Sequence, residues 1–270
     1  MRRLALLLGV AAALLLAGCG GSSSHAHRRP ANHGAANGPA SHLVSADVIA
    51  SAARLSARQQ GYAIAVAGNG TVSGIDGAIT FTGAGVFDAS GGGDLSLQVN
   101  LPGLFSIVSP LKTVVLLGQG SAYVKVPALL TQSPGGLRPW VSIPLASAGH
   151  ALGLPTGALS GEVTPRRLLD ALATDSTGHA DWRGQATVDG HTQTLYRELL
   201  PALGKGRWLY VWIDPRTGLL SRVAVSYARA GRAALNATLT FTGYGQQTVP
   251  ALPPTDKVGS VDTALKAIGL

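Results

Sequence analysis

The stretch Asp94-Leu-Ser-Leu-Gln-Val-Asn100 alternates polar and apolar residues without a break. Because successive side chains of a β-strand point to opposite faces of a sheet, Leu95, Leu97 and Val99 are predicted to share one face. The polar residues between them then share the other face. This alternation is typical of an antiparallel sheet with one buried face and one solvated face, so the domain is predicted to be built around such a sheet.

Four other runs in the first half have strand character and are bounded by residues that favour turns, such as Gly, Asn, Ser and Pro. Gly68–Gly74, between the first two runs, lacks the spacing and the Lys-Ser/Thr pair of a phosphate-binding loop, so a hairpin connection is predicted there. The prolines between Leu101 and Gly161 predict loops and short turns outside the last two runs. The four predicted strands are residues 62–67, 78–82, 113–117 and 122–126.

The second half of the chain returns to strand-like runs. Asp189-Gly190 lies between two of them and is a strong signal for a hairpin turn, and Asp214–Gly218 predicts a second turn. One run is apolar on both faces, with Trp208, Tyr210 and Trp212 opposite its aliphatic residues, so it is expected to be covered on both sides or to meet a membrane or partner. The predicted strands are residues 180–188, 191–197, 207–214, 219–227 and 235–243.

Two segments show the three- and four-residue apolar spacing of amphipathic helices. The first spans residues 46–60, where Ser45 can cap the start and Gly61 can end the helix. The second begins at Thr164-Pro165, a capping residue followed by proline at the first helical position. A mostly antiparallel sheet with two helices is the simplest arrangement of these elements.

Residues 1–18 are predicted to be a signal peptide, because basic residues precede an apolar run, Leu4 to Leu16, that is too short to span a membrane. Leu16-Ala-Gly-Cys19 has the form of a lipobox, after which the cysteine becomes acylated. Cys19 is therefore predicted to carry acyl chains such as palmitate, which hold the protein at the extracytoplasmic face of the cell membrane. The alternative is an ordinary secretory signal in which this cysteine occurs by chance.

Residues 19–43 are predicted to be the lipidated cysteine and a flexible tether, because small and polar residues dominate and cannot bury enough surface to fold. Residues 44–258 are predicted to form the folded domain. Residues 259–270, which include Val261, Leu265 and Ile268, are predicted to be a C-terminal tail or a short helix.

The net charge of +8 falls to +6 without Arg2 and Arg3. The remaining basic residues do not form clusters interleaved with aromatic residues, so nucleic acid is not expected as a partner. The sequence contains no G-x-S-x-G, no H-E-x-x-H and no close group of carboxylates and histidines. The protein is therefore predicted not to be an enzyme, and neither a metal nor another cofactor is expected.

In the order of its elements the chain resembles the LppX/LprAFG family of actinobacterial lipoproteins, which is related in fold to the LolA-like lipoprotein carriers. The resemblance covers roughly residues 46–258. It rests on the helix that starts at Thr164-Pro165, the turn at Val188–Gly190, the strand Val211–Asp214 with the following Gly218-Leu-Leu-Ser-Arg-Val, and the ending Thr242–Gly245.

This resemblance implies an α+β fold, in which helices cross the concave face of a curved, mostly antiparallel half-barrel sheet. It also implies an apolar cavity that binds a membrane lipid or glycolipid, and a role in transporting or presenting that lipid in the cell envelope. An envelope transporter is a possible partner.

If the apolar face is the concave one, strand alternation and the second helix identify the residues that would line the cavity. The alternative is that the same residues fill a solid core, and the protein is then a non-enzymatic surface interaction or regulatory module. The candidate ligand-binding residues are Ile79, Phe81, Leu95, Leu97, Val99, Leu168, Leu169, Leu172, Leu209, Val211, Ile213, Val223, Val225, Leu239 and Phe241.

Overall fold

The described strands of the protein form a single sheet. The computed structural model describes residues 42–72, 77–102, 109–126, 131, 137–145, 164–176, 178–199, 208–229, 233–260 and 262–263. The thirteen strands are β1 (His42–Ser45), β2 (Gly61–Val72), β3 (Ile79–Asp88), β4 (Gly93–Asn100), β5 (Leu111–Gly118), β6 (Ser121–Lys125), β7 (Trp140–Pro144), β8 (His179–Val188), β9 (His191–Leu199), β10 (Trp208–Ile213), β11 (Leu220–Arg229), β12 (Ala233–Thr242) and β13 (Val258–Ser260).

The strands are hydrogen-bonded in the order β1-β8-β9-β10-β11-β12-β2-β3-β4-β5-β6-β7-β13. Every neighbouring pair is antiparallel except β7 and β13, which are parallel. The sheet is open, because β1 and β13 are its two edges. The predicted fold class is confirmed: an α+β fold with a curved, mostly antiparallel sheet and helices across its concave face.

Two α-helices have described bounds, α1 (Asp47–Ala57) and α2 (Pro165–Asp175), and Thr255–Lys257 form a short 3-10 helix. The Thr164 side chain accepts a hydrogen bond from the backbone N–H of Arg167 at 3.2 Å, which confirms the predicted cap of α2. α1 ends at Ala57, earlier than the predicted Gln60, because Gly61 already pairs with Asp88 in the sheet and the chain must turn before it.

Both helices pack against the same face of the sheet, which we call the inner face; the opposite one is the outer face. The largest fully buried side chains of the described residues include Tyr62, Phe81 and Phe87, which lie on the inner face with residues of both helices. One continuous apolar cluster therefore joins the helices to strands from β2 to β12.

The strands β2 and β3 are longer than the sequence predicts. β2 continues to Val72, so the predicted hairpin connection at Gly68–Gly74 is wrong for its first five residues. Gly68 pairs with Phe81, whose ring occupies the space that a Cβ at residue 68 would need. A Cβ at Gly83 would lie 2.7 Å from Leu97 Cδ2. These glycines therefore serve close packing within a strand.

Three short strands at or next to the edges of the sheet were not predicted. β7 lies in the proline-rich stretch where loops were predicted, and that prediction is wrong for Trp140–Pro144. Its Pro144 is the last residue of the strand, where a missing N–H is tolerated. β1 includes His42 and Leu43 of the predicted tether, and β13 extends to Ser260.

Other predictions concern residues outside the described ones, namely Cys19, the tether before residue 42, and Val261, Leu265 and Ile268. The boundaries of the signal peptide, tether, domain and tail therefore stay predictions. Among the described helices, none is long and apolar enough to cross a membrane.

The two predicted turns are confirmed. Asp189 and Gly190 have φ angles of 50° and 80°, which suit a two-residue hairpin turn between β8 and β9. At the second turn the N–H of Gly218 donates to the carbonyl of Asp214 at 2.8 Å, and Gly218 has a positive φ of 70°.

Candidate functional site

The structure brings all fifteen candidate ligand-binding residues to the inner face of the sheet or to the helix above it. Thirteen of them are buried members of one apolar cluster, and each has at most 6% of its surface exposed. The other two, Leu168 and Leu239, are partly buried and pack against the same cluster. Alternation in the sequence therefore identified a contiguous apolar surface.

Strand register explains this convergence. Leu209 lies directly opposite Val225 across β10 and β11, and Val211 lies opposite Val223. Directly opposite residues of an antiparallel pair share a face, so each pair places two apolar side chains side by side. Leu169 and Leu172 of α2 are fully buried in the cluster and close it from above.

The apolar face has a polar end, and Glu198 is its most buried charged residue. Glu198 lies opposite Leu209 across β9 and β10, which places its side chain on the inner face. Only 1% of its surface is exposed. The Ser176 hydroxyl, just after α2, donates a hydrogen bond to Glu198 Oε2 at 2.8 Å. Glu198 Oε1 is buried without a hydrogen-bond partner among the described residues.

This environment changes the acidity of the carboxyl group. Burial raises the pKa of Glu198 to about 7, and the hydrogen bond from Ser176 opposes that rise by favouring the charged form. Near neutral pH both forms of the side chain are therefore populated. Neither Glu198 nor Ser176 was a predicted site residue. The predicted strand ended at Arg197, one residue before Glu198.

Other polar groups accompany Glu198 on this part of the inner face. Tyr196 lies opposite Val211 and packs against the apolar cluster, and burial raises the pKa of its phenol. Thr194 lies opposite Ile213 on the same face. We call Thr194, Tyr196, Glu198 and Ser176 the polar end of the inner face.

On the outer face, β10 carries aromatic residues. The sequence predicted that this face is either covered or in contact with a membrane or partner. Tyr210 is 37% exposed, so the described part of the chain does not cover this face fully. Its ring lies 6.4 Å from that of Trp212, centre to centre. The Arg222 guanidinium lies 6.0 Å from the centre of the Trp212 ring, and Arg222 also pairs with Asp189 at 3.4 Å. The side chain of Trp208 lies outside the described set.

Two open clefts are lined by described residues, and polar or small side chains of the outer face form much of both. The larger cleft, of about 750 Å³, includes Thr82, Ser96, Gln98, Lys112 and Lys125. The smaller, of about 450 Å³, includes Asn69, Thr80, Tyr210, Ser226 and Asn236. Neither group was predicted from the sequence, because strand alternation indicated only that these residues are solvated.

Among the described residues, no group of three or more His, Cys, Asp or Glu side chains could hold a metal ion. The candidate site consists of the predicted apolar residues and a polar end that the sequence did not predict. Such a surface can hold an amphiphile without a chemical reaction.

No protein-family model matches the chain, and no curated protein is significantly similar to it. Similar solved structures include LprF from Mycobacterium bovis, at 14% identity and a TM-score of 0.42, with 76% of this chain and 95% of that chain covered. A LolA superfamily protein from Nitrosomonas europaea has 9% identity, a TM-score of 0.29, and coverage of 78% and 96%. A putative outer membrane lipoprotein-sorting protein domain from Vibrio parahaemolyticus has 12% identity, a TM-score of 0.26, and coverage of 82% and 98%. Likeness at these TM-scores does not establish the family or the ligand of this chain.

Proposed function

We propose that the protein is a cell-envelope lipoprotein of the LppX/LprAFG type, which binds a lipid or glycolipid against its inner face and transports or presents it. The observation that carries the proposal is the single apolar cluster, which brings together fifteen candidate residues from five strands and one helix. A sheet face that is apolar across five strands could pack against extended hydrocarbon chains.

Binding would consist of burying acyl chains, with no covalent bond made or broken. Each buried methylene contributes about 0.8 kcal/mol, so a long chain contributes several kcal/mol beyond the costs of association. The candidate residues are buried against each other in this structure. The helices and the sheet must therefore separate to admit a ligand.

The polar contacts that hold the helices indicate where that separation is restrained. The Ser56 hydroxyl, near the end of α1, accepts a hydrogen bond from the N–H of Leu220 at 2.9 Å. Arg54 donates to the carbonyl of Ala173 at 3.0 Å and so ties α1 to α2. Since these contacts join the helices to each other and to β11, the two helices are expected to move as a pair.

The location of the protein follows from its predicted N-terminus. Acylated Cys19 would anchor the chain at the extracytoplasmic face of the membrane, and the tether would let the domain reach the lipid surface. An envelope transporter that delivers or accepts the lipid would complete this role.

A second candidate function is a surface interaction or regulatory module with a solid core. The low exposure of the thirteen buried candidate residues favours it, because a filled core has this burial. Under this proposal the exposed Tyr210 of β10 would contact a protein partner.

Native mass spectrometry of the exported chain separates the two functions. The Cys19→Ser variant, produced in a bacterial host, should carry about one lipid per chain, which organic extraction would identify. The double variant Leu97→Trp/Val211→Trp should lose this lipid, because it adds bulk to the inner face. The matched control Tyr210→Trp, on the outer face beside Val211, should retain it.

A chain that is free of lipid and does not bind an added fluorescent lipid would contradict the carrier function and favour the module. Undiminished lipid in the double variant would contradict the proposed lining. Mass analysis of the wild-type chain should also show an acylated Cys19.

A further inference from the structure

The polar end of the inner face has a feature that packing alone does not explain. A carboxyl group is buried to 99% beside an apolar cluster, with one oxygen bonded to Ser176 and the other without a described partner. Burial of an unsatisfied polar atom costs free energy, and buried polar atoms in native proteins are rarely left unpaired. Since no donor among the described residues reaches Glu198 Oε1, this oxygen marks a place where a ligand could supply one.

The position of this oxygen relates it to the proposed ligand surface. Glu198 lies directly opposite Leu209, one of the candidate lining residues, and Tyr196 lies opposite Val211 on the same face. A ligand whose acyl chains contact Leu209 and Val211 would therefore have its polar portion beside Glu198 and Tyr196. The inner face therefore has an apolar part next to a polar part, as a lipid does.

The chemistry of the oxygen limits the kind of headgroup. In the charged form of Glu198 both oxygens are acceptors and Ser176 already donates to Oε2, so the group that satisfies Oε1 must itself carry a hydrogen. A phosphate or carboxylate headgroup would bring a second acceptor and a like charge to this form. An alcohol hydroxyl can donate to the charged form and accept from the neutral form, and it brings no charge.

We propose that Glu198, held by Ser176, is a headgroup subsite that accepts a hydrogen bond from a hydroxyl of a neutral acylglycerol or glycolipid. This inference rests on the proposed lipid-binding function and names the ligand class of that site. Tyr196 and Thr194 lie on the same face and provide further polar groups for such a headgroup.

The test compares two lipids that differ at one position, which is a free hydroxyl in one and its acetate ester in the other. The exported Cys19→Ser chain is loaded with a fluorescent fatty acid methyl ester, which has neither a charge nor a hydroxyl, and the probe is displaced either by 1,2-dioleoylglycerol or by its 3-O-acetyl derivative. Wild-type protein should bind the free alcohol about tenfold more tightly, because hydrogen bonds to charged groups are stronger than average. Glucosyl dioleoylglycerol tests whether a sugar hydroxyl serves as well as that of glycerol.

Two variants assign the preference to this side chain. Glu198→Leu should bind both dioleoyl lipids within about twofold of each other, and replacing a buried charge with an apolar residue of similar size is usually tolerated by the fold. The matched control is Gln193→Leu. Gln193 is also buried with an unpaired Oε1, but it precedes the inner-face Thr194 and therefore belongs to the opposite face. This control should keep the wild-type preference.

Equal binding of the two lipids by wild-type protein would overturn the headgroup subsite and leave the carrier function intact. A preference for the free alcohol that persists in Glu198→Leu would have the same consequence. If the wild-type protein binds neither the fluorescent ester nor either lipid, the carrier function fails and the subsite fails with it.

Discussion

The inner face differs between the centre of the sheet and its β9 side. On β3 and β4 the inner-face positions are apolar residues or glycines, such as Phe81, Gly83 and Leu97. On β9 the corresponding positions are Thr194, Tyr196 and Glu198, although β9 pairs with the apolar β10. One continuous face thus changes from apolar to polar across neighbouring strands. Strand alternation therefore predicts which residues share a face. Whether that face is polar or apolar has to be determined for each strand separately.

The largest expected effect concerns the centre of the sheet. Phe81→Ala should lower the free energy of unfolding by about 3–5 kcal/mol, because it removes a fully buried ring and leaves a cavity over Gly68. Urea denaturation followed by tryptophan fluorescence measures this change. The matched control is Thr82→Ala, the next residue along β3, which faces solvent and should change stability by less than about 0.5 kcal/mol. Similar losses for both variants would contradict the distinction between the two faces.

The polar end should make stability depend on pH. Because the pKa of Glu198 is raised in the folded protein, the folded state binds a proton that the unfolded state has already released. Stability from this group is therefore greatest at acidic pH, and it falls as pH rises through the folded pKa of about 7. Between pH 5 and pH 8 the loss should be on the order of 2–3 kcal/mol.

This dependence is measured as the difference between wild type and Glu198→Gln in urea unfolding at several pH values, since other groups titrate equally in both proteins. Glu198→Gln should show the flatter profile. If the two profiles are parallel from pH 5 to pH 8, the carboxyl group does not have a raised pKa.

The smallest expected effect concerns the residue that supports Glu198. Ser176→Ala should lower the free energy of unfolding at pH 8 by about 1.5 kcal/mol, because a hydrogen bond to a carboxylate is lost. At pH 5 the loss should be smaller, since the carboxyl group is then neutral. The control Ser226→Ala removes an exposed hydroxyl of β11 that donates to the amide oxygen of Asn236, and its effect should not vary with pH. An equal effect of Ser176→Ala at both pH values would contradict the charge-dependent contact.

The sequence predicted most of the central fold because the alternation in β4 is regular and the α2 cap uses a strong local signal. β2 was cut short because its glycines read as a turn, whereas in the structure Gly68 admits the ring of Phe81 from the next strand. β7 was missed because proline argues against a strand, and only the pairing with β6 and β13 reveals a strand that ends at Pro144. These errors arose where contacts distant in sequence decide the structure.

The sequence also predicted only part of the candidate site. Its apolar residues follow from local periodicity, so all fifteen were found together on one surface. Glu198 was missed because a glutamate after Arg197 at a strand end reads as a surface residue. Only the pairing with Leu209 and the approach of Ser176 place it inside.

The pairing of β2 with β12 also has a consequence for how the chain acquires its structure. Two meanders, β2 to β7 and β8 to β12, are joined by ten residue pairs between segments about 170 residues apart in the chain. Contacts of such large sequence separation form late and slowly, since a long loop must close first. The inner face is therefore complete only after the C-terminal strands have been delivered. In the proposed export of the chain through a membrane, this order would keep the hydrophobic surface from assembling before translocation ends.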